Sequence, residues 1–254
     1  MSESSLPPPE STEACELVVI VAHPDDAELC AGGLLLSAVR RGWRTAVVDL
    51  TRGELGSLGS VETRAEEAAA AARVLGLHRR INLGLPDGAV RDTDENRQKV
   101  VRVVRELRPH ILVTHPREDH HPDHMGAAEL VRQSFYLCGI RKFGAETPPW
   151  RPRGLLYTLG SRTRRPDLVF NISDVIEERM QAVRCYRSQF ADAPEDSAFA
   201  VRIASDGFLE GHRASLKHWG TLIGAAYGEP YSSEAPLAIS DPAALFASEP
   251  WKKP

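Results

Sequence analysis

Residues 17–22, Leu-Val-Val-Ile-Val-Ala, form an apolar run rich in β-branched side chains that stops abruptly at His23-Pro24-Asp25-Asp26-Ala27-Glu28. A run of this length, cut off by polar residues, reads as a buried parallel strand. The stretch from Ala27 to about Arg41 has helical composition, so the polar quartet occupies a strand-to-helix turn. In an open α/β sheet such turns line the carboxyl edge, where ligands bind. This junction commits the chain to a buried sheet and marks where its chemistry would sit.

The residues that follow repeat the pattern. Arg44–Thr51 reads as a second strand, ending in a glycine-rich loop from Arg52 to Ser60. Val61–Leu75, alanine-rich with Glu62, Glu66 and Glu67 in its first half, is a helix closed by Gly76. Arg80–Leu83 is a short third strand, turned by Gly84-Leu-Pro-Asp87-Gly88. Asp94–Arg108 carries an apolar stripe at Val100, Val103, Val104 and Leu107, the mark of a helix, and Pro109 stops it. His110–Thr114 is a fourth strand, and Met125 to about Cys138 a further helix. Leu155–Thr158 and Leu168–Ile172 read as strands, and Asp174–Tyr186 and about Phe208–Leu222 as helices. Beyond Tyr231 the pattern gives no reading. The expected class is α/β: a Rossmann-like, mostly parallel sheet with helices on both faces and a smaller C-terminal elaboration. Residues 1–16 are expected to form a disordered leader and 17–254 one domain, with the core at 17–160 and the elaboration at 161–254.

A second anomaly follows the fourth strand: His115-Pro-Arg-Glu-Asp119-His120-His121-Pro122-Asp123-His124, which holds four of the nine histidines. Taken alone, Asp25, Asp26 and Asp123 could be helix caps. Two such loops at the expected ligand edge argue for a metal instead. We assign His23, Asp26 and His124 as ligands, a His/Asp set that suits zinc and leaves a position for water. Asp25 is the candidate general base, and His121 the candidate oxyanion stabiliser and proton donor. Asp123 could hold one of the histidines in its tautomer. The residues also allow His121 as ligand, with His120 or His115 as the acid.

Other classes find less support. A net charge of −4 gives no basic footprint for nucleic acid. The four cysteines form no CxxC pair, which excludes a thiolate zinc site and suits a reducing, cytoplasmic setting. No run is long enough to span a membrane, and no signal peptide pattern opens the chain. A non-catalytic Rossmann-like sugar or nucleotide module would need a GxGxxG after the first strand, and Gly32-Gly33 comes too late.

His23-Pro-Asp-Asp-Ala-Glu28 with Gly32-Gly33, and His121-Pro-Asp-His124, resemble the two signature motifs of the PIG-L/LmbE-type zinc-dependent deacetylases. The resemblance runs from Leu17 to Tyr231. It implies removal of an N-acetyl group from a glucosamine conjugate, with zinc (or iron(II)) on His23, Asp26 and His124. It also implies Asp25 as base and His121 at the oxyanion. Val61-Glu-Thr-Arg64, Leu83-Gly-Leu-Pro-Asp87, Gly139-Ile-Arg141-Lys142, Tyr186-Arg-Ser-Gln-Phe190 and Tyr227-Gly-Glu229-Pro-Tyr231 are similar to the bacillithiol-pathway N-acetylglucosaminyl-malate deacetylases. That likeness implies Arg64, Asp87 and Arg151 (or Arg153) in substrate binding, and a homo-oligomer. Arg64 could equally pair with a helix glutamate, and Asp87 could simply shape its turn. The chain departs from the bacillithiol pattern at His120, where an Arg is common, and at Phe208, where a Tyr can stand. An amidase of thiol conjugates, or a deacetylase of another N-acetylglucosaminide, would keep the same hydrolytic core.

Overall fold

The computed structural model describes residues 14–144, 146–159, 165–190 and 206–237. Five strands, β1 (Leu17–Val21), β2 (Thr45–Thr51), β3 (Arg79–Leu85), β4 (Ile111–Thr114) and β5 (Gly154–Thr158), run parallel. β6 (Leu168–Asn171) and β7 (Gly228–Ser233) complete a seven-stranded sheet of order β3-β2-β1-β4-β5-β7-β6. β7 is antiparallel to both of its neighbours, so the sheet is mixed only at this edge.

Alternation along the buried strands divides the core between two faces. Val18 and Ile20 of β1, with Ala46, Val48 and Leu50 of β2, meet α3 (Asp94–Leu107) and α4 (Pro122–Leu137). Leu17, Val19 and Val21 turn the other way, toward α1 (Asp26–Arg40), Leu75 of α2 (Val61–Leu75) and α5 (Ile176–Val183). A strand covered on both faces leaves no place for a polar side chain, which is why β1 reads as an unbroken apolar run. Gly76 closes α2 at φ 67, as read from sequence, and the structure adds Ser60 as its N-cap, accepting from Thr63 N–H.

Three expectations need correction. Ala14 and Cys15, placed in the leader, are buried, and Cys15 N–H donates to the Leu107 carbonyl. Residues 1–13, like 238–254 at the other end, lie outside the described residues. The stretch 174–186 is not one helix: a 3₁₀ turn (Ser173–Val175) precedes α5, and α6 (Arg187–Phe190) follows separately. β7 was not anticipated, because Pro230 and Glu229 obscure its alternation. α7 (Asp206–Leu222) precedes it. No helix among the described residues is long and apolar enough to cross a membrane.

Candidate metal and hydrolytic site

β1 and β4 are adjacent, yet the chain leaves β1 toward β2 on one side and leaves β4 toward β5 on the other. The two turns therefore open the crevice at the topological switch point, beyond the carboxyl ends of the strands. In the first turn Asp25 adopts φ 111, a left-handed conformation costly for a residue with a Cβ, typically by about 1–3 kcal/mol. Arg64 of α2 supports it by donating Nη2 to the Pro24 carbonyl and lying 3.3 Å from Asp25 Oδ2. In the second turn His121 is the N-cap of α4, its Nδ1 accepting from Asp123 N–H at 3.2 Å.

The two turns bring the expected ligands together. Asp26 Oδ2 lies 3.2 Å from His23 Nδ1, and Asp26 Oδ1 lies 3.3 Å from His124 Nε2. His23, His121 and His124 offer ring nitrogens within 4.8 Å of one another, and so do the donor atoms of Asp26, His115 and His124. His121 stands between the other two, its ring centroid 4.8 Å from that of His23 and 4.6 Å from that of His124.

The electrostatics suit a cation. Burial works against charge on His23, yet Asp26 and Asp87 raise its pKa to about 11. Burial likewise opposes charge on His124, yet Asp26 and Asp119 raise it to about 9. Asp26 is held well below the usual carboxylate range: burial opposes this, but His124 and His115 outweigh it. The carboxylates thus draw protons onto two imidazoles, and a divalent cation would take the place of those protons. The donor set of nitrogen and carboxylate oxygen, without sulfur, fits zinc or iron(II). Asp25 differs from Asp26 beside it: burial pushes it up to about 7 against the pull of Arg64.

His115, an alternative acid from sequence, is fully buried, its Nε2 accepting Ala22 N–H at 2.9 Å. Its ring stacks under that of His124, centroids 3.9 Å apart, and burial lowers its pKa to about 4. It joins the end of β1 to the end of β4 and is a floor to the pocket. His120 points outward, 59% exposed, and pairs with Asp119.

Four further placements revise the sequence reading. Asp123 holds neither the His121 nor the His124 ring: its carboxylate accepts from Gly88 N–H at 2.6 Å and Val90 N–H at 3.1 Å. Its nearest imidazole nitrogen is His23 Nε2, at 3.4 Å. Asp87 does more than shape a turn, since its Oδ1 meets the same Nε2 at 3.1 Å. Arg64 is only 4% exposed and engages the Asp25 turn instead of a helix glutamate. Arg151 does not join the cluster within the chain. Its guanidinium lies over the Tyr136 ring, beside Gly139 and just past the end of α4. Thirteen residues of α4 separate that end of the helix from His124, roughly 20 Å at the helical rise. Arg153 enters β5 at the amino edge, opposite the site. Sequence reasoning missed Asp119, whose Oδ2 lies 3.1 Å from His124 Nδ1. A carboxylate five residues before a candidate ligand in one loop was the available signal.

Residues 18–135 match the family model described as PIG-L: GlcNAc-PI de-N-acetylase. Diacetylchitobiose deacetylase of Thermococcus kodakarensis is 30% identical over 199 residues, covering 71% of each chain. A Bacillus cereus protein named probable N-acetyl-alpha-D-glucosaminyl L-malate deacetylase 2 is 24% identical over 205 residues, 73% of this chain and 89% of its own. Among solved structures, the conserved protein TT1542 from Thermus thermophilus superposes with a TM-score of 0.81 at 36% identity. That alignment covers 94% of this chain and 100% of the other.

Proposed function

Because the chain belongs to the PIG-L deacetylase family, we propose that its pocket hydrolyses the N-acetyl group of an N-acetylglucosaminyl conjugate, most simply N-acetylglucosaminyl-malate of bacillithiol synthesis. The observation that carries the reading is the approach of His23, Asp26 and His124 from two turns distant in sequence. These three would hold zinc or iron(II), which when bound polarises the acetyl carbonyl and acidifies water. Asp25 takes a proton from the attacking water, a task for a carboxylate whose pKa is raised toward neutrality. His121 donates a hydrogen bond to the oxygen of the tetrahedral centre. The C–N bond then breaks, the nitrogen leaves as an amine with a proton returned from the pocket, and acetate is released. The four free cysteines fit a reducing cytoplasmic setting.

A second substrate reading, a chito-oligosaccharide, is favoured by the 30% identity to the Thermococcus protein. One assay tests both: acetate release from N-acetylglucosaminyl-malate, diacetylchitobiose and a simple N-acetylglucosaminide, with metal content measured on the same preparation. Preference for the malate conjugate supports the first reading, and preference for the disaccharide replaces it with the second. A protein that takes up no metal and hydrolyses none of the three would end both.

A further inference from the structure

We propose that Ser188 and Gln189 of α6 are positioning residues for the hydrolysis: they clamp the glycine-rich loop 52–60 over Arg64 and so keep its guanidinium on the turn that carries Asp25. The inference rests on the catalytic reading above, in which Asp25 is the base, and gives the smaller C-terminal part of the chain a task at the pocket.

The composition of the loop gives it little rigidity of its own. Gly53 and Gly59 adopt φ 69 and φ 77, and glycine loses more conformational freedom on ordering than any other residue. The front half is tied to the turn after β3: Leu55 N–H donates to Asp87 Oδ2 at 2.8 Å, and Glu54 Oε1 accepts Asp87 N–H at 3.0 Å. Behind it lies Arg64, in the first turn of α2. A Cβ on Gly53 would come within 3.2 Å of Arg64 Cζ, and one on Gly56 within 3.3 Å of Nη1. The loop backbone thus sheathes the guanidinium, which is only 4% exposed and lies 3.3 Å from Asp25 Oδ2.

α6 holds the back half. Gln189 Nε2 donates to the Leu58 carbonyl at 2.7 Å and to Ser188 Oγ at 3.1 Å. Ser188 is fixed in turn by Glu67 of α2, whose two carboxylate oxygens accept its N–H and its Oγ–H, each at 2.7 Å. A Cβ on Gly59 would lie 2.7 Å from Ser188 Oγ, so the loop backbone rests directly on that side chain. Gln189 and Glu67 are both buried, where a hydrogen bond is electrostatically stronger than in water. Glu67 follows Arg64 by three residues, on the same side of α2. α6 therefore sets the loop against the helix that carries the guanidinium. Without the donor of Gln189, the stretch around Leu58 would be free to lift from Arg64.

A double-mutant cycle in kcat tests this, measured on N-acetylglucosaminyl-malate, or on diacetylchitobiose if the wild type prefers it. Gln189→Met keeps the bulk of the side chain and removes its donor to Leu58. Turnover is expected to fall about 10-fold, part of the roughly 10²-fold that a displaced catalytic group can cost. In an Arg64→Met background the same substitution is expected to change kcat by less than about twofold, because the group it positions is gone. A merely structural role would lower the melting temperature in both backgrounds without any such coupling in kcat. An equal fall of kcat in both backgrounds, or no fall in either, would overturn the inference. Should Gln189→Met fail to fold, Ser188→Ala, which removes a single hydroxyl, carries the same cycle with the same two readings. A wild-type protein that hydrolyses neither substrate would remove the catalytic reading and this inference with it, whereas an active wild type with an additive cycle would remove this inference alone.

Discussion

Arg64 Nη2 lies 3.3 Å from Asp25 Oδ2 while donating to the carbonyl of Pro24, so one guanidinium grips both the side chain and the backbone of the first turn. Arg64 belongs to α2, and Asp25 sits at the end of the loop leaving β1. A helix well downstream in sequence therefore supports a backbone conformation that Asp25 would not hold alone, at φ 111.

Replacing Arg64 by Met should accordingly act on the reaction step. Turnover is expected to fall by about 10²-fold, the scale of a misplaced catalytic group, with KM little changed. Steady-state kinetics check it. A large rise in KM at normal kcat would make Arg64 a substrate contact instead.

Asp25→Asn keeps the shape of the turn and removes the base. It should retain its metal and lose roughly 10²–10⁴ in kcat. Metal content and turnover on one preparation are the measurement, and full turnover would move the base elsewhere.

Gly33 lies on α1 where a Cβ would come within 2.5 Å of Ile172 Cγ2 and 2.9 Å of its Cβ. Gly33→Ala is expected to cost about 1–3 kcal/mol by overpacking. Shortening the neighbour in Gly33→Ala/Ile172→Ala should cost less than the two single losses added together. Additive losses in chemical denaturation would show that the two positions do not clash.

Glu229 of β7 accepts Gly33 N–H at 3.0 Å, Leu34 N–H at 2.8 Å and Arg179 Nε at 2.9 Å, with Arg179 fully buried. Glu229→Ala leaves a buried guanidinium without its anion, a loss of about 3–5 kcal/mol in denaturant titrations. A loss below about 1 kcal/mol, the scale of an exposed pair, would mean that the guanidinium finds other partners.

His212 gives a pH dependence of stability. Burial, and then the nearby Arg179, lower its pKa from 6.5 to about 3. Between those values the unfolded chain binds the proton and the folded chain does not, so stability rises with pH there. Its contribution is present above pH 6.5 and is lost as pH falls toward about 3. His212→Gln should flatten the slope of melting temperature against pH in that window, and an unchanged slope would place the acid sensitivity on other groups.

Much of this molecule was legible from residue order, for physical reasons that operate locally. Val61–Leu75 is a helix at the bounds expected, because propensity, cap and stop signals all lie within the segment. His23-Pro-Asp-Asp and His121-Pro-Asp-His announced themselves because clustered polar groups at strand ends have few structural uses. Tertiary structure decided the partners. Whether Asp87 and Asp119 serve a histidine, whether Arg64 faces a glutamate or Asp25, and whether Arg151 reaches the site all depend on how elements dock. So does β7, whose Glu229 is explained by the amides of α1 and by Arg179. Periodicity reports which face of a segment is buried, while the choice of partner is made by distances between segments that no local pattern encodes.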